Sequence, residues 1–370
     1  MKKVILILSF IFVFSSCAFG APDSSVSEII EGEVIELDDK DINQPLEEIL
    51  EEKEPLKAKI TDYYTFDKGL LKIHINQYLN FDFGAIGDVT WSINDKDHDL
   101  HTKYKFPSTD FVLTGKMNDY IDYKVQMRAE KDIRKETIFG DVWVRGKYKN
   151  YTAMAGRMRK PFAAEPTLSP YDIDFATRAQ ISRLFGDHRD SGGKINASYK
   201  YLDLDLGLFA VMQDHPFWFH HHGIEFDSQL TLKPLAFNPN LGDLRISGGI
   251  ATGKRDLSYT NYSGYFTYKY KKFGLKGEYI CKEPTFYDDK KADGYYFTGT
   301  YFLTDKLQAA LRFDSYNGDK RHSHRYTNEY TVGLNYYLNG SSTMLVLNYT
   351  FADGKINTNR ISLQMRYKTW

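Results

Sequence analysis

Polar and apolar residues alternate one by one over most of the chain beyond residue 70. In LLKIHINQYLNFDF (70–83), Leu71, Ile73, Ile75, Leu79, Phe81 and Phe83 share one parity, and Lys72, His74, Asn76, Asn80 and Asp82 the other. In YIDYKVQMRAE (120–130), Ile121, Tyr123, Val125, Met127 and Ala129 oppose Asp122, Lys124, Gln126, Arg128 and Glu130. Leu202, Leu204, Leu206, Leu208, Ala210 and Met212 form another such row, and Tyr330, Val332, Leu334, Tyr336 and Leu338 another. A period of two is the signature of a strand whose faces meet different surroundings.

A soluble sandwich would turn the apolar row inward, whereas a transmembrane barrel turns it toward lipid and lines a wet lumen with the polar row. Three features favour the membrane. Many strands approach ten residues, the length of a tilted crossing. Their polar faces carry Lys, Arg, Asp and Glu from end to end, and tight turns such as Asn118-Asp119, Lys149-Asn150, Thr304-Asp305 and Asn339-Gly340 alternate with longer loops. In hydrocarbon, only closure satisfies the backbone of every strand.

The expected fold is therefore an all-β transmembrane antiparallel barrel of about sixteen strands, with a long third loop folded into the lumen. The strands are expected near 70–83, 109–117, 119–131, 137–148, 151–159, 192–201, 203–213, 223–233, 243–252, 257–270, 273–281, 294–303, 306–314, 328–338, 343–351 and 359–370. The fifth crossing ends outside the cell, where the longest insertion, 160–191, follows it. The sequence closes on ISLQMRYKTW, an alternating strand with an aromatic final residue, as barrel-assembly machinery recognises. Tyr367 stands three residues before Trp370 rather than two, so the register is expected to slip there.

Composition agrees. Of 370 residues, 28 are Tyr, 25 Phe and only 11 Pro, which favours strands. Residues 1–20 read as a signal peptide: Lys2 and Lys3, an apolar run too short to span a bilayer, and small residues before Ala21. Lipidation at Cys17 is the rival reading. Residues 21–60 read as an acidic periplasmic leader or linker, with thirteen acids against Lys40 and Lys53 over 21–56; residues 61–370 are the barrel. After cleavage Cys281 is the single cysteine, so no internal disulfide is expected.

The candidate chemistry lies in 141–195. On strand 151–159 the alternation puts Ala153, Ala155, Arg157 and Arg159 together, and a lipid-facing Arg costs about 2–4 kcal/mol at the midplane, so this row is expected to face the lumen. Pro161 then ends the pairing. Arg157, Arg159, Lys160, Arg178, Arg183 and Arg189 are the candidate pore-lining, anion-selecting residues, with Lys194 nearby; Glu165, Asp172, Asp174, Asp187 and Asp190 share the segment. Arg and Lys lining a pore favour anions, and Arg matches phosphate or carboxylate with a fork of donors. The competing use of the same groups is to hold a folded-in loop to the wall through ion pairs.

Asp141-Val142-Trp143, the run from Gly156 through Phe162, Glu165 through Pro170, Arg178, Arg183, Gly186, Arg189 and Gly192-Gly193, with Gly333-Leu334-Asn335-Tyr336-Tyr337 near the end, resemble the phosphate-selective porin O and P family. The resemblance extends over roughly 65–370. It implies a sixteen-stranded, homotrimeric outer-membrane porin in which basic residues in and near the third loop attract anions.

Elsewhere the chemistry is thin. His215, His220, His221 and His222, and likewise His322 and His324, read as extracellular-loop residues rather than metal ligands. There is no nucleophile elbow, P-loop or HExxH, so no enzyme, cofactor or metal is expected. Nucleic acid is not an expected partner, because the basic residues alternate with apolar ones. The expected function is passive diffusion of small hydrophilic solutes, anions such as phosphate or small carboxylates preferred, across the outer membrane, with its lipid as partner. The alternative is an adhesin or structural tether using loops such as 84–108 and 214–223 and the acidic leader.

Overall fold

The computed structural model describes residues 64–370 except 68–69, 77–78, 97, 130–138, 186–188, 213–220, 255–257, 284–290 and 320–325. The signal peptide, Cys17, the leader, Gly186, Asp187 and His215, His220, His322 and His324 lie outside these residues. Two short strands come first, β1 (Tyr64–Asp67) and β2 (Leu70–Asn76). The barrel follows with β3 (Leu79–Asn94), β4 (His101–Asn118), β5 (Ile121–Ala129), β6 (Phe139–Tyr148), β7 (Tyr151–Arg159), β8 (Arg189–Ser198), β9 (Leu202–Met212) and β10 (His221–Leu232). It is completed by β11 (Asp243–Lys254), β12 (Ser258–Tyr270), β13 (Phe273–Glu283), β14 (Ala292–Phe302), β15 (Leu307–Asn317), β16 (Thr327–Asn339), β17 (Thr343–Asp353) and β18 (Thr358–Lys368).

From β3 on, each strand pairs antiparallel with the next, and β18 returns to β3 in register from Thr358↔Asn94 to Lys368↔Gly84. The ring of sixteen strands is closed, with no edge left to hydrogen-bond in lipid. Exposure shows which way each face points. On β18, Ile361, Leu363 and Met365 are 45%, 41% and 51% exposed, while Ser362, Gln364 and Arg366 between them are 4%, 3% and 2% exposed. Val332 and Leu334 on β16 are likewise exposed and Thr331 and Asn335 buried. Apolar outside and polar inside is the inverse of a soluble core, and is stable only where the surroundings are hydrocarbon.

The start of the barrel differs from expectation. Residues 70–83 are not one strand: β2 ends at Asn76, and the first barrel strand runs from Leu79 to Asn94, pairing with a β4 that reaches back to His101. The stretch 84–108, expected as a loop, is thus mostly strand. Its alternation is hard to see because Gly84, Ala85 and Gly87 carry little apolar signal, Ile86 is buried inward, and Pro107 argues against a strand. The register also slips between Ile86 and Asp88, a bulge that shifts the faces by one. The slip at the C-terminus is explained too. Tyr367 stays with the outer row, its ring 6.3 Å from Phe83, whereas Trp370 meets Tyr171 of the long connection edge-on at 5.0 Å.

Candidate functional site

Residues 160–188 join β7 to β8, and their polar contacts fall on inward-facing side chains of the barrel wall. Pro161 lacks the N–H that would continue the ladder. Phe162, Ala163, Ala179 and Ile181 then bury themselves with Ala251, Ile280 and Tyr296 of β11, β13 and β14. The approach is close: a Cβ on Gly249 would lie 2.3 Å from the Phe162 carbonyl oxygen, so no larger residue fits there. The Ser263 hydroxyl donates to that same carbonyl.

Backbone groups of the segment, which follow no regular ladder, find partners on the wall. The Glu278 carboxylate accepts from the Ala164 and Glu165 amides at 2.5 and 3.1 Å and from the Tyr296 hydroxyl at 2.8 Å. Arg366 donates to the carbonyls of Ile173 and Phe175, and Asn335 to that of Asp174 at 2.9 Å. The Asn348 side chain accepts from the Ala176 amide at 2.6 Å, and Arg312 donates to the Thr177 carbonyl at 2.8 Å with its guanidinium 4.7 Å from the Phe175 ring centre. Lys276 pairs with Asp174 at 2.5 Å and Lys368 with Asp172. The short helix α1 (Gln180–Phe185) is held by Gln180 to Asp314 at 2.7 Å and Arg183 to Glu329 at 2.8 Å. All these anchors lie on β12 to β18.

The opposite wall is arranged differently. Its register aligns inward rows across strands: Lys124, Trp143, Gly156, Gly192 and Phe209 in one, and Asp122, Arg145, Met154, Lys194 and Gly207 in the next. Gly156 has φ +126°, and a Cβ there would lie 2.2 Å from the Val142 carbonyl oxygen. Between this wall and the segment lies a cavity of about 250 Å³, bounded by Asp141, Trp143, Met154, Met158 and Arg159, by Lys160, Pro161 and Thr167 of the segment, and by Lys194, Asp205 and Gln229.

The six predicted residues do not converge on one point. Arg159 and Lys160 line the cavity. Lys160 is enclosed by Asp190 at 3.0 Å and Glu225 at 2.5 Å; burial works against its charge, but these acids and Asp227 hold its pKa well above the ordinary lysine value. Arg189 is buried against Asp141 at 2.5 Å. Arg178 donates to the carbonyls of Glu165 and Leu168 and so ties the segment to itself. Arg183, 39% exposed at the side chain, shares Glu329 with Arg360.

Arg157 is a correction. The inward row of β7 is Thr152, Met154 and Met158, while Arg157 opposes Val142 and Ser191 on the row that includes Ala153 and, across from it, the exposed Ile195. Its Nε points to the Phe139 carbonyl at 3.4 Å. An outward Arg is tolerable here because it lies two residues from the strand end, where the cost of charge facing lipid falls toward zero. Sequence reasoning assigned the two methionines to lipid because they are apolar. It also passed over wall cations such as Lys124, Arg145 and Lys147, although their parity on the polar faces was visible.

Residues 239–367 match the sequence model of a family described as phosphate-selective porin O and P. This is a porin barrel. The match covers β11 to β17 and nearly all of β18, including Gly333-Leu334-Asn335-Tyr336-Tyr337, and lies downstream of the 156–162 run. No curated protein matches the chain. Among solved structures the porin barrel is similar to the outer membrane channel DcaP of Acinetobacter baumannii, at 13% identity and TM-score 0.57, covering 79% of this chain and 97% of that one. An anion-selective porin from Comamonas acidovorans gives 12% identity and TM-score 0.57, with 79% and 99% covered. The trimer form of the Vibrio cholerae outer-membrane protein OmpT gives 12% identity and TM-score 0.53, with 79% and 100% covered.

Proposed function

We propose that the chain is an outer-membrane porin: a water-filled channel through which small hydrophilic solutes diffuse passively, anions in preference to cations. The observation that carries this reading is the pairing of an apolar outer face with a polar inner one; on this reading the connection from residue 160 to 185, whose partners are inward side chains, narrows the lumen. Most anchors of that segment lie on β11–β18, with Lys160 at its start tied to Asp190 and Glu225, and on this reading the passage runs beside β6–β9. The wall facing the passage carries Lys124, Arg145, Lys147, Arg159 and Lys194 alongside Asp122, Asp141, Asp203 and Asp205, and Lys194, which has no ion-pair partner among the described residues, presents the positive charge that lowers the barrier for anions. An anion-selective porin of the same fold supports that sign. Phosphate as a specific permeant draws on the family match alone. Arg159 remains a candidate selectivity residue, and Lys160, Arg178, Arg183 and Arg189 serve to hold the segment and wall.

The same reading includes export by a signal peptide at 1–20, a periplasmic leader at 21–60 and a homotrimer. The trimer is supported by the trimeric fold relative and by small residues Gly146, Ala153, Ala155 and Gly193 opposed on the outer faces of β6–β8, where another barrel can pack closely. The test is the reversal potential of the refolded mature protein in a planar bilayer under a KCl gradient. A chloride-directed potential that shrinks in Lys124→Gln/Lys194→Gln is the expected result. A cation-directed potential removes the anion preference, and absence of conductance removes the channel.

A further inference from the structure

We propose that the cavity beside β6–β9 is a binding subsite for aromatic monocarboxylates rather than for inorganic phosphate; the proposal rests on the porin reading above and names its preferred solute. Its cation is Lys194. No hydrogen bond or ion pair joins the Lys194 ammonium to a described residue, and Asp205 and Asp141 act on it only through space. The other cations at or near the cavity are already engaged: Lys160 with Asp190 and Glu225, Arg189 and Lys124 with Asp141, Arg145 with Asp122 through two 2.8 Å bonds, and Arg159, on the cavity lining, with the field of the same Asp141 carboxylate.

A phosphate dianion is bound by several donors converging on one group, commonly Arg forks. A site with one uncommitted ammonium and two carboxylates on its rim, Asp141 and Asp205, repels a second negative charge. A single carboxylate is satisfied there. The rest of the lining suits an apolar body. Met154 is the direct cross-strand neighbour of Lys194, Met158 is 2% exposed, and Trp143 lies one row away. Across the sheet Trp143 is flanked by Lys124 on one side and by Gly156 on the other, so on the β7 side no cross-strand side chain stands beside the indole. Arg145 sits 4.9 Å from the Trp143 ring centre and braces it. An ammonium next to polarizable methionine and indole surface is complementary to a flat ring bearing one carboxylate.

The test is bi-ionic reversal potentials across bilayers holding the refolded mature protein, with potassium acetate, benzoate or phosphate against potassium chloride. Benzoate is expected to exceed acetate in relative permeability, after correction for their mobilities in water, by about threefold, the gain from covering roughly 25 Å² of apolar surface. Trp143→Ala and, separately, Met154→Ser should return that ratio to the mobility ratio while acetate is unchanged, and Trp143→Phe should keep most of it. Heat-modifiable gel mobility verifies that each variant is a folded barrel. The proposal is overturned if benzoate and acetate follow their mobilities in the wild type, if phosphate outruns both, or if neither Trp143→Ala nor Met154→Ser alters the ratio. These outcomes leave a conducting anion channel intact, whereas absence of any current removes the porin reading together with the subsite.

Discussion

Lys160 shows how a residue read as part of a selectivity filter can be bound up in the wall that supports it. Its ammonium faces Asp190, Glu225 and Asp227, and both Glu225 and Asp227 are fully buried. Removing the cation leaves buried acids uncompensated, which costs about 3–5 kcal/mol. Lys160→Met is therefore expected to lower the urea midpoint for unfolding of the barrel in detergent micelles. Lys160→Met/Glu225→Gln should recover part of the loss, because the pair is coupled; equal midpoints for Lys160→Met and wild type would refute this account. Arg157 teaches the converse. Charge alone placed it in the lumen, but a strand end near the interface tolerates an outward guanidinium, and Gly156 disturbs the local alternation.

Among elements, the 160–188 segment is built by its neighbours more than by its own propensities. Among its described residues the α-helix has six residues and a 3-10 turn three, and many of its irregular backbone groups are met by side chains from strands more than a hundred residues downstream, such as Arg312, Asn335, Asn348 and Arg366. This is why its position in the chain was legible in the sequence and its anchors were not. The insertion stood out between two alternating runs, whereas parity assigns Asn335 or Arg366 to the polar face without saying what it holds. Strand count and turns were legible for the same reason parity was, and the reading failed at 84–108, where a bulge and small residues hide the period. Gly249 offers a direct test of the anchoring. Gly249→Val suits a strand but drives its side chain into the Phe162 carbonyl, so the barrel should still fold and show heat-modifiable mobility. Single-channel conductance should shift and open-channel noise rise as the segment is pushed off its seat; an unaltered current trace would show the contact to be dispensable.

At the scale of the whole molecule, the ring divides into an apolar exterior and a polar interior, and the two are not interchangeable. Val332, 52% exposed near the middle of β16, and Thr331 beside it, 3% exposed, are adjacent in sequence. Val332→Arg is expected to cost about 2–4 kcal/mol in folding equilibria in lipid vesicles, the penalty for a midplane charge facing hydrocarbon. If Val332→Arg folds as readily as the wild type, that face does not meet lipid. The interior has a further consequence, for the order of assembly. The strand that closes the ring against β3 is also the strand whose Arg366, Lys368 and Gln364 grip the 160–188 segment. A chain short of closure lacks those grips, so its long connection is left accessible to proteases. Once β18 zips home, the same event shields it. Resistance of that connection to cleavage is thus a built-in timestamp of completed assembly, readable during biogenesis without any measurement of transport.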